Sequence, residues 1–474
     1  MITEGAENMI EKLFHVTEKG SNVRTELLAG LTTFMTMAYI LMVNAGMFAE
    51  LPGVSYYGIY IATAISAAIG TILIGLLANL PLAQASAMGS NAFFVYTVCM
   101  GFGLSYANAL VLILLDGIAF VLLTVTGLRK KIFEAIPAPV RMTIPAGVGL
   151  FIAFIGLQNA GIVVADSQTF VNLASFNMLF GSASWADVMP ILITLAVVIA
   201  IAVMTCKGVK GAVLWGILGG TVLYYLLGIT VPGFYADFGA TLNLNPFSAF
   251  EAFCASAFGR VFTEGFDFSC YLADHNVAQL ALLIGTTSLA FCLVDMFDTI
   301  GTLYGACARG NLLTAEGEVP NMDRAMLADA VATVCGAVCG TSTVSSYVEA
   351  SAGIAEGGKT GLAAMATGGL FLLAMFFSPI ASLVPSCATA AALIYVGILM
   401  MDCTKRINWQ NTAQAVPAFL TLAIMPMTYN ISYGIAFGIL SHVFIMVCSG
   451  KAKELKIGTW IIAGLFAVMF LVTH

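Results

Sequence analysis

Long apolar runs separated by short polar turns make up most of the chain. Many approach the roughly 20 residues that a helix needs to cross a bilayer, so the pattern predicts an all-α polytopic membrane protein. About 14 segments are predicted, and the first seven lie at 27–45, 59–78, 85–100, 105–126, 141–160, 188–206 and 211–231. A long extracytoplasmic loop at 232–276 is followed by segments at 278–305, 326–340, 343–356, 361–378, 386–402, 414–428 and 431–448. An additional apolar segment, 457–472, either crosses the membrane or lies against it.

Composition and charge placement agree with this layout. Of the 474 residues, 60% are hydrophobic and only 9% are charged, which excludes an ordinary soluble protein. With residues 1–26 in the cytoplasm, every one of the 18 Lys and Arg residues except Arg260 falls on the cytoplasmic side. This distribution satisfies the positive-inside rule, so we expect a plasma (inner) membrane protein with a cytoplasmic N-terminus.

The order of the segments indicates an inverted repeat. Since seven is odd, the second set of seven begins on the opposite side of the membrane from the first, as in many secondary transporters. The third segment of each half, 85–100 or 343–356, is short and rich in small and polar residues. Interrupted segments at corresponding places indicate a binding site near the bilayer midplane, because a broken helix offers unpaired backbone N–H groups to a polar ligand.

Four acidic residues inside predicted segments are the main candidates for chemistry. A carboxylate near the membrane centre is costly, so it faces the protein interior or a cavity, where burial favours its protonated form. The i, i+3 spacing of Asp295 and Asp298 puts both on one helical face, with Thr302 one turn further on. A ligand or proton role is predicted for Asp298 and Glu349, the alternative being an internal pair or a helix cap. A structural hydrogen bond is favoured for Asp295, and for Asp116 both roles stay open.

Several stretches resemble signature segments of the AzgA-type guanine/hypoxanthine permeases of the nucleobase–ascorbate transporter superfamily. They are ELLAGLTTFMTMAYILMVNAG (26–46), AMGSNAFFVYTV (87–98), FDTIGTLYG (297–305) and GTSTVSSYVEASAGIAEGGKTGLAA (340–364). The resemblance implies a 7+7 fold with a short strand before a half helix in segments 3 and 10. It implies a core domain (27–126 and 278–378) and a gate domain (141–231 and 386–448). It also implies proton-coupled uptake of a nucleobase.

The same resemblance implies roles for particular residues. Asp298 stands where the family has an acid that holds the base, Glu349 stands at the acid of the tenth segment, and 91–94 supply backbone contacts. The chain departs from the family at 85–87 and Ser90, and these departures bear on which base is bound. The predicted substrate-binding residues are Asp298, Glu349, Asn91, Phe93, Phe94, Thr302 and Ser346. The predicted proton-coupling residues are Glu349, Asp298 and Asp116.

The expected partners are a purine such as hypoxanthine, guanine or adenine, protons, the lipid bilayer and, as an option, a second copy in a homodimer. Neither a cofactor, a metal nor nucleic acid is expected. Cys254 and Cys270 share the loop 232–276, and a disulfide between them is left open.

The nearest alternative is a transporter of the same fold for uracil, xanthine or a small anion such as sulfate or bicarbonate, although two acids would repel an anion. A channel would need a continuous polar stripe along several segments. An intramembrane aspartyl protease would need a Gly-x-Gly-Asp sequence, which the chain lacks. The prediction is therefore a transporter and not an enzyme.

Overall fold

The computed structural model describes residues 10–127, 135–177, 181, 183–230, 245–314 and 318–473. Within these ranges the chain is mostly helical, with four short strands. Ten of the described helices are long and apolar enough to cross a membrane, so the chain is a multi-pass membrane protein. These ten are Val23–Phe48, Tyr56–Ala78, Tyr106–Val125, Ala138–Asn159, Trp185–Cys206, Ala212–Thr230, Val277–Ala308, Gly361–Ala381, Ser386–Arg406 and Ile431–Cys448.

The first half of the chain supplies eight α-helices and three strands among the described residues. They are α1 (Val23–Met37), α2 (Tyr39–Phe48), α3 (Tyr56–Ala78), β1 (Gln84–Ser86), α4 (Met88–Ala92), α5 (Tyr106–Val125), α6 (Ala138–Asn159), β2 (Val163–Asp166), β3 (Phe170–Leu173), α7 (Trp185–Cys206) and α8 (Ala212–Thr230). A π-helix, Phe93–Gly101, continues directly from α4. Strands β2 and β3 pair as an antiparallel hairpin.

The second half follows residues 231–244, which lie outside the described ranges and include the first part of the predicted loop 232–276. Its elements are α9 (Pro246–Ser256), α10 (Arg260–Thr263), α11 (Ser269–Leu272), α12 (Val277–Arg309), α13 (Met322–Cys339), β4 (Val344–Ser346), α14 (Ser351–Ala355), α15 (Gly361–Ala374), α16 (Ser378–Ala381), α17 (Ser386–Met400), α18 (Thr412–Thr428), α19 (Ile431–Cys448) and α20 (Ile457–Thr473). The long helix α12 begins with a capping box in which Asn276 and Gln279 satisfy each other's backbone N–H groups.

The predicted segments 85–100 and 343–356 are not single helices. In the first, β1 is followed by α4 and the π-helix, and in the second, β4 is followed by a 3₁₀ turn, Val348–Ala350, and α14. The short strands expected ahead of the half helices are therefore present. The predicted segments 326–340 and 414–428 correspond to α13, which carries three charged residues, and to α18, which is only 17 residues long.

The two short strands pair with each other across the halves of the chain. β1 and β4 are antiparallel, with Gln84 opposite Ser346 and Ser86 opposite Val344. Both strands are buried, and glycines on the flanking helices make room for them. A Cβ at Gly70 of α3 would lie 2.9 Å from Gln84 Oε1, and one at Gly336 of α13 would lie 2.9 Å from Val344 Cγ2. Small residues on these helices thus allow the strand pair to sit at the centre of the bundle.

The last helix, α20, runs along α19 in the opposite direction. At its start, the Thr459 hydroxyl donates to the carbonyl of Ala135, and near its end the Phe470 ring lies 5.5 Å from that of Tyr433, close to the start of α19. The segment predicted at 457–472 therefore accompanies α19 over its length. In the loop before α12, Cys254 and Cys270 are exposed free thiols, so the disulfide left open by the sequence is not formed.

Candidate functional site

The centre of the site is the strand pair β1–β4, from which each strand leads into a helix. Two further hydrogen bonds extend the pair, from Ala87 N–H to the Thr343 carbonyl (2.9 Å) and from Tyr347 N–H to the Ala83 carbonyl (3.0 Å). Because the strands are antiparallel, their turns into helix lie at opposite ends of the pair, after Ser86 and after Ser346. Side chains of β4 and of the turn that follows it contact α12 and α2.

Asp298 and Glu349 lie beside β4 and the turn that follows it. Asp298 of α12 accepts a hydrogen bond from the Ser345 hydroxyl of β4 (3.2 Å), and Glu349 accepts one from the Tyr39 hydroxyl of α2 (2.7 Å). Both acids are half-buried, and each influences the other electrostatically. Among the described residues each accepts a single side-chain hydrogen bond, and the Glu349 carboxylate also accepts from its own backbone N–H.

Tyr347 lies between the strand pair and the two acids. Its hydroxyl donates to the carbonyl of Ser86, and its ring is within electrostatic reach of both Asp298 and Glu349. Glu349 is held through its backbone as well, because its carbonyl accepts from the Thr36 hydroxyl (3.3 Å). Helices α1 and α2 therefore fix Glu349 at both its backbone and its side chain.

Two other predicted substrate residues take part in the hydrogen bonds around the strands. Asn91 is fully buried, and its side-chain oxygen accepts from the hydroxyls of Ser86 (2.7 Å) and Ser342. Ser346 is buried, and its hydroxyl accepts from the Gln84 amide (3.3 Å). Thr302 is buried one turn beyond Asp298 on α12. Asp298 of α12 and Asn91 of α4 thus both hydrogen-bond with residues of the strand pair, which includes Ser346.

Phe93 and Phe94 are placed differently. Phe93 packs against Phe291 with ring centroids 4.8 Å apart, and Phe94 packs against Phe48 at 4.9 Å. Neither ring has any exposed surface. A base would reach either ring only after these neighbours move, so stacking on them stays a prediction.

Three further acids lie deeper in the bundle than the central pair. Asp295 has the expected structural hydrogen bond, from the Thr333 hydroxyl (3.3 Å), while its other oxygen is buried without a partner among the described residues. Asp116 is fully buried, and its carboxylate faces the Cys292 thiol, a weak donor. Asp116, Asp295 and Asp329 are close enough to interact electrostatically.

Asp329 of α13 is a residue that the sequence reasoning missed. It accepts from the Gln84 amide (2.9 Å) and from the Thr299 hydroxyl (2.8 Å), so it joins β1 to α12. The signal was available, because Asp329 is an acid inside the predicted segment 326–340, as Asp298 and Glu349 are acids inside theirs. Tyr39 was also missed, and nothing in its apolar surroundings marks it as a partner of Glu349.

One stretch of the chain matches a phosphate-binding pattern. GIAEGGKT (353–360) has the G-x-x-x-x-G-K-[ST] spacing, so the expectation that the chain contains no Walker A loop is wrong at the level of sequence. In the structure the backbone N–H groups of Lys359 and Thr360 donate to the carboxylate of Glu26, at 2.9 and 3.2 Å, and Glu26 is fully buried. A protein carboxylate thus occupies the place where a phosphate would bind. Within the described ranges, no cluster of His, Cys, Asp and Glu side chains is arranged to hold a metal ion.

Two known permeases are similar to this chain over almost its whole length. The chain is 39% identical over 98% of its length to the guanine/hypoxanthine permease PbuG of Bacillus subtilis, covering 99% of that protein. It is 35% identical over 97% of its length to the adenine permease AdeQ of Escherichia coli, covering 95% of that protein.

Among solved structures, the fold is similar to the transmembrane domain of a cyanobacterial bicarbonate transporter, BicA. The TM-score is 0.58 at 15% identity, over 88% of this chain and 97% of that one. The murine anion transporter Slc26a9 in its inward-facing state matches with a TM-score of 0.59 at 12% identity, over 93% of this chain and 72% of that one. At these identities the likeness concerns the fold alone.

A family model described as a permease family matches residues 24–437. Together with the relatives of more than 30% identity, this match confirms the resemblance drawn from the sequence motifs. Membership also places the chain among transporters and not among enzymes. The chain belongs to this permease family, that of the nucleobase–ascorbate transporters.

Proposed function

We propose that the chain imports a purine nucleobase (hypoxanthine, guanine or adenine) by proton symport with alternating access. The observation that carries the proposal is the pair of half-buried acids, Asp298 and Glu349, beside β4 and the turn that follows it. The relatives named as guanine/hypoxanthine and adenine permeases support the choice of a purine.

The chemistry of the two acids suits a neutral purine. The ring N–H and amino groups of such a base are donors, and the carboxylates of Asp298 and Glu349 are acceptors with one side-chain donor each among the described residues. A hydrogen bond to a charged group contributes about 1.5–3 kcal/mol. Two such bonds provide a large part of the roughly −8 kcal/mol of micromolar binding, and desolvation and ring contacts supply the rest.

The same pair accounts for proton coupling. Two carboxylates that interact in a poorly hydrated place favour a state in which one is protonated, because like charges repel. A proton taken up with the base would remove the repulsion between the two acids, and its release on the other side would restore that repulsion and favour departure of the base. We assign base binding and proton coupling to Asp298 and Glu349 together, with Asp116 as a further proton-coupling residue.

Alternating access requires two bodies that move against each other. We propose the 7+7 arrangement, with 27–126 and 278–378 as the core and 141–231 and 386–448 as the gate. Packing across the halves supports this division. In the core, α3 packs on α13 and α15, and in the gate, α6 packs on α17 and α18.

The proposal includes the membrane in which the protein lies, its orientation and its lipid-facing surface. We propose a plasma (inner) membrane location with the N-terminus in the cytoplasm, supported by the distribution of Lys and Arg. Helices α7 and α8 expose apolar side chains such as Ile199 and Val222, a surface suited to lipid or to a second copy in a homodimer.

The test is uptake of radiolabelled hypoxanthine by cells that lack their own nucleobase carriers. Wild type is compared with Asp298→Asn and Glu349→Gln, with and without a proton uncoupler. Two matched variants, Asp323→Asn and Glu251→Gln, change exposed acids away from the site. Uptake should need both site acids and collapse with the uncoupler, while the matched variants transport normally.

Competition between bases and uptake of anions test the choice of substrate. Unlabelled guanine, adenine, xanthine and uracil, added as competitors, rank the bases. Uptake of labelled bicarbonate or sulfate, but of no base, would replace the purine proposal with anion transport.

A further inference from the structure

A cavity away from the two acids lies between the start of α12, the end of the π-helix and the turn that joins α18 to α19. We call it the Tyr429 cavity. Its volume is about 470 Å³, and its lining includes Tyr96, Thr97, Thr287, Tyr429, Ser432 and Tyr433. This volume falls within the range of about 300–1,000 Å³ that is typical of small-molecule sites.

The Tyr429 cavity is separate from the central acids. Thr287 lines the cavity, and Asp298 follows it on α12 eleven residues later, about 16 Å along the helix axis. Between them, Phe291 packs on Phe93 with ring centroids 4.8 Å apart, and both rings are fully buried. The cavity and the acid pair therefore lie in sequence along one helix, divided by two aromatic rings.

The lining matches a flat, neutral, hydrogen-bonding ligand. Tyrosine rings and the stacked pair of Tyr271 and His275, 4.2 Å apart, offer aromatic faces. Threonine, serine, asparagine and glutamine side chains offer donors and acceptors, and the lining contains no Asp, Glu, Lys or Arg. Such a surface favours a heteroaromatic ring over an ion.

One atom in the lining points to a ligand directly. The hydroxyl of Ser432 is buried and has no hydrogen-bond partner among the described residues. A buried polar group without a partner costs about 1–3 kcal/mol, so such groups are normally satisfied by a protein group, an ordered water or a ligand. A polar atom of a base in the cavity would satisfy Ser432.

One hydrogen bond in the wall of the cavity would have to break before a ligand could move on from the cavity. The Thr97 hydroxyl donates to the carbonyl of Tyr429, which joins the proposed core to the turn between two helices of the proposed gate. Tyr429 has a left-handed backbone conformation (φ 53°), and its ring packs edge-on against Phe151 and Phe154. The carbonyl of Tyr429 is thereby held at Thr97.

We propose that the Tyr429 cavity is a second, weaker binding site, in which a nucleobase rests before it passes to Asp298 and Glu349. The proposal rests on the proposed function, since it takes the same ligand for both sites. The base leaves the cavity when the Thr97–Tyr429 contact and the Phe93–Phe291 pair separate.

The test is equilibrium binding of radiolabelled hypoxanthine to the purified full-length protein. Wild type should bind two molecules per chain, and the double variant Asp298→Asn/Glu349→Gln should keep one, at the weaker site. Ser432→Ala should weaken that site about twofold to tenfold, the range expected for one neutral hydrogen bond. Since no described residue is a hydrogen-bond partner of the Ser432 hydroxyl, this variant should fold normally.

Ser441→Ala is the matched control, because Ser441 lies on the same helix and donates to the Gly438 carbonyl. In uptake assays, Ser432→Ala should raise KM and Ser441→Ala should not. Uptake by wild type with one bound base per chain and equal KM for both serine variants would overturn the inference and leave the proposed function standing. A wild type that neither binds nor transports any base would overturn both.

Discussion

The Tyr39 hydroxyl donates a 2.7 Å hydrogen bond to Glu349, although 310 residues of chain separate them. The bond ties α2 to the short helix that follows β4, so it positions the acid that we place in base binding. Removing the hydroxyl leaves the ring in place and the carboxylate without its one side-chain donor. The first prediction concerns this bond.

Tyr39→Phe should raise the KM for hypoxanthine about tenfold or more, because a hydrogen bond to a charged group contributes about 1.5–3 kcal/mol. Uptake kinetics at matched surface expression measure the effect. Tyr60→Phe is the control, since the buried Tyr60 hydroxyl donates to the Ala374 carbonyl, away from the acids. Equal KM values for the two variants would contradict the role given to Tyr39.

Ser345→Ala should also weaken transport, by a smaller factor. Its hydroxyl donates to Asp298 at 3.2 Å, a long bond, so we expect a rise in KM of about threefold to tenfold. Ser66→Ala is a matched change, because Ser66 is buried and donates to the Thr63 carbonyl within α3. An equal rise in KM in both variants would indicate a general loss of stability and not an effect at the site.

Asp329→Leu should lower the melting temperature, because the Gln84 amide and the Thr299 hydroxyl would lose a buried acceptor. Adding Gln84→Leu should restore part of the loss, since the unpaired amide is then removed. Thermal unfolding of the purified protein measures both effects. The exposed Asp323, changed to Leu, should have little effect, and strictly additive losses for Gln84 and Asp329 would argue against their pairing.

Gly336→Ala should destabilise the protein by about 1–3 kcal/mol, the typical cost of overpacking. The added Cβ would lie 2.8 Å from the Ser342 carbonyl oxygen and 2.9 Å from Val344 Cγ2, and so would displace β4. A Cβ at Gly369 of α15 meets nothing within 4 Å, so Gly369→Ala is the matched control. If both variants melted alike, the close packing of β4 on α13 would not matter to stability.

Glu50 allows a prediction about pH. It accepts from the Tyr96 hydroxyl (2.9 Å) and the Asn159 amide (3.3 Å), and burial raises the pKa of its carboxyl above 4.5. An acid whose folded-state pKa is raised stabilises the fold at low pH and loses that contribution as the pH rises through the folded pKa. Melting temperatures of wild type and Glu50→Gln should therefore differ more at pH 8 than at pH 4, with the Gln variant favoured at pH 8. The effect should be small, because Glu50 keeps an exposed edge.

The residues that the sequence identified are those whose chemistry conflicts with an apolar environment. Asp298 and Glu349 stand out for that reason, and small polar residues around 85–87 and 343–346 mark the strands. Asp329 carried the same signal and was overlooked. The partners of these acids were harder to find, because Tyr39 and Ser345 meet them only through contacts between distant parts of the chain.

The ring contacts of Phe93 and Phe94 could not be predicted from the sequence. Aromatic residues next to Asn91 suit both ring stacking and core packing, and the local sequence is the same for either. The Phe93–Phe291 and Phe94–Phe48 contacts depend on how α12 and α2 approach the π-helix. The Tyr429 cavity is likewise formed by three separate parts of the chain, so no local pattern predicts it.

The central claim is that Asp298 and Glu349 bind the base and couple it to a proton. The most direct measurement is the pH inside proteoliposomes, followed with an internal dye while hypoxanthine is added outside. Wild type should acidify the interior only when hypoxanthine is present, and neither Asp298→Asn nor Glu349→Gln should do so. Hypoxanthine uptake without acidification in wild type, or acidification that persists in either variant, would contradict the claim.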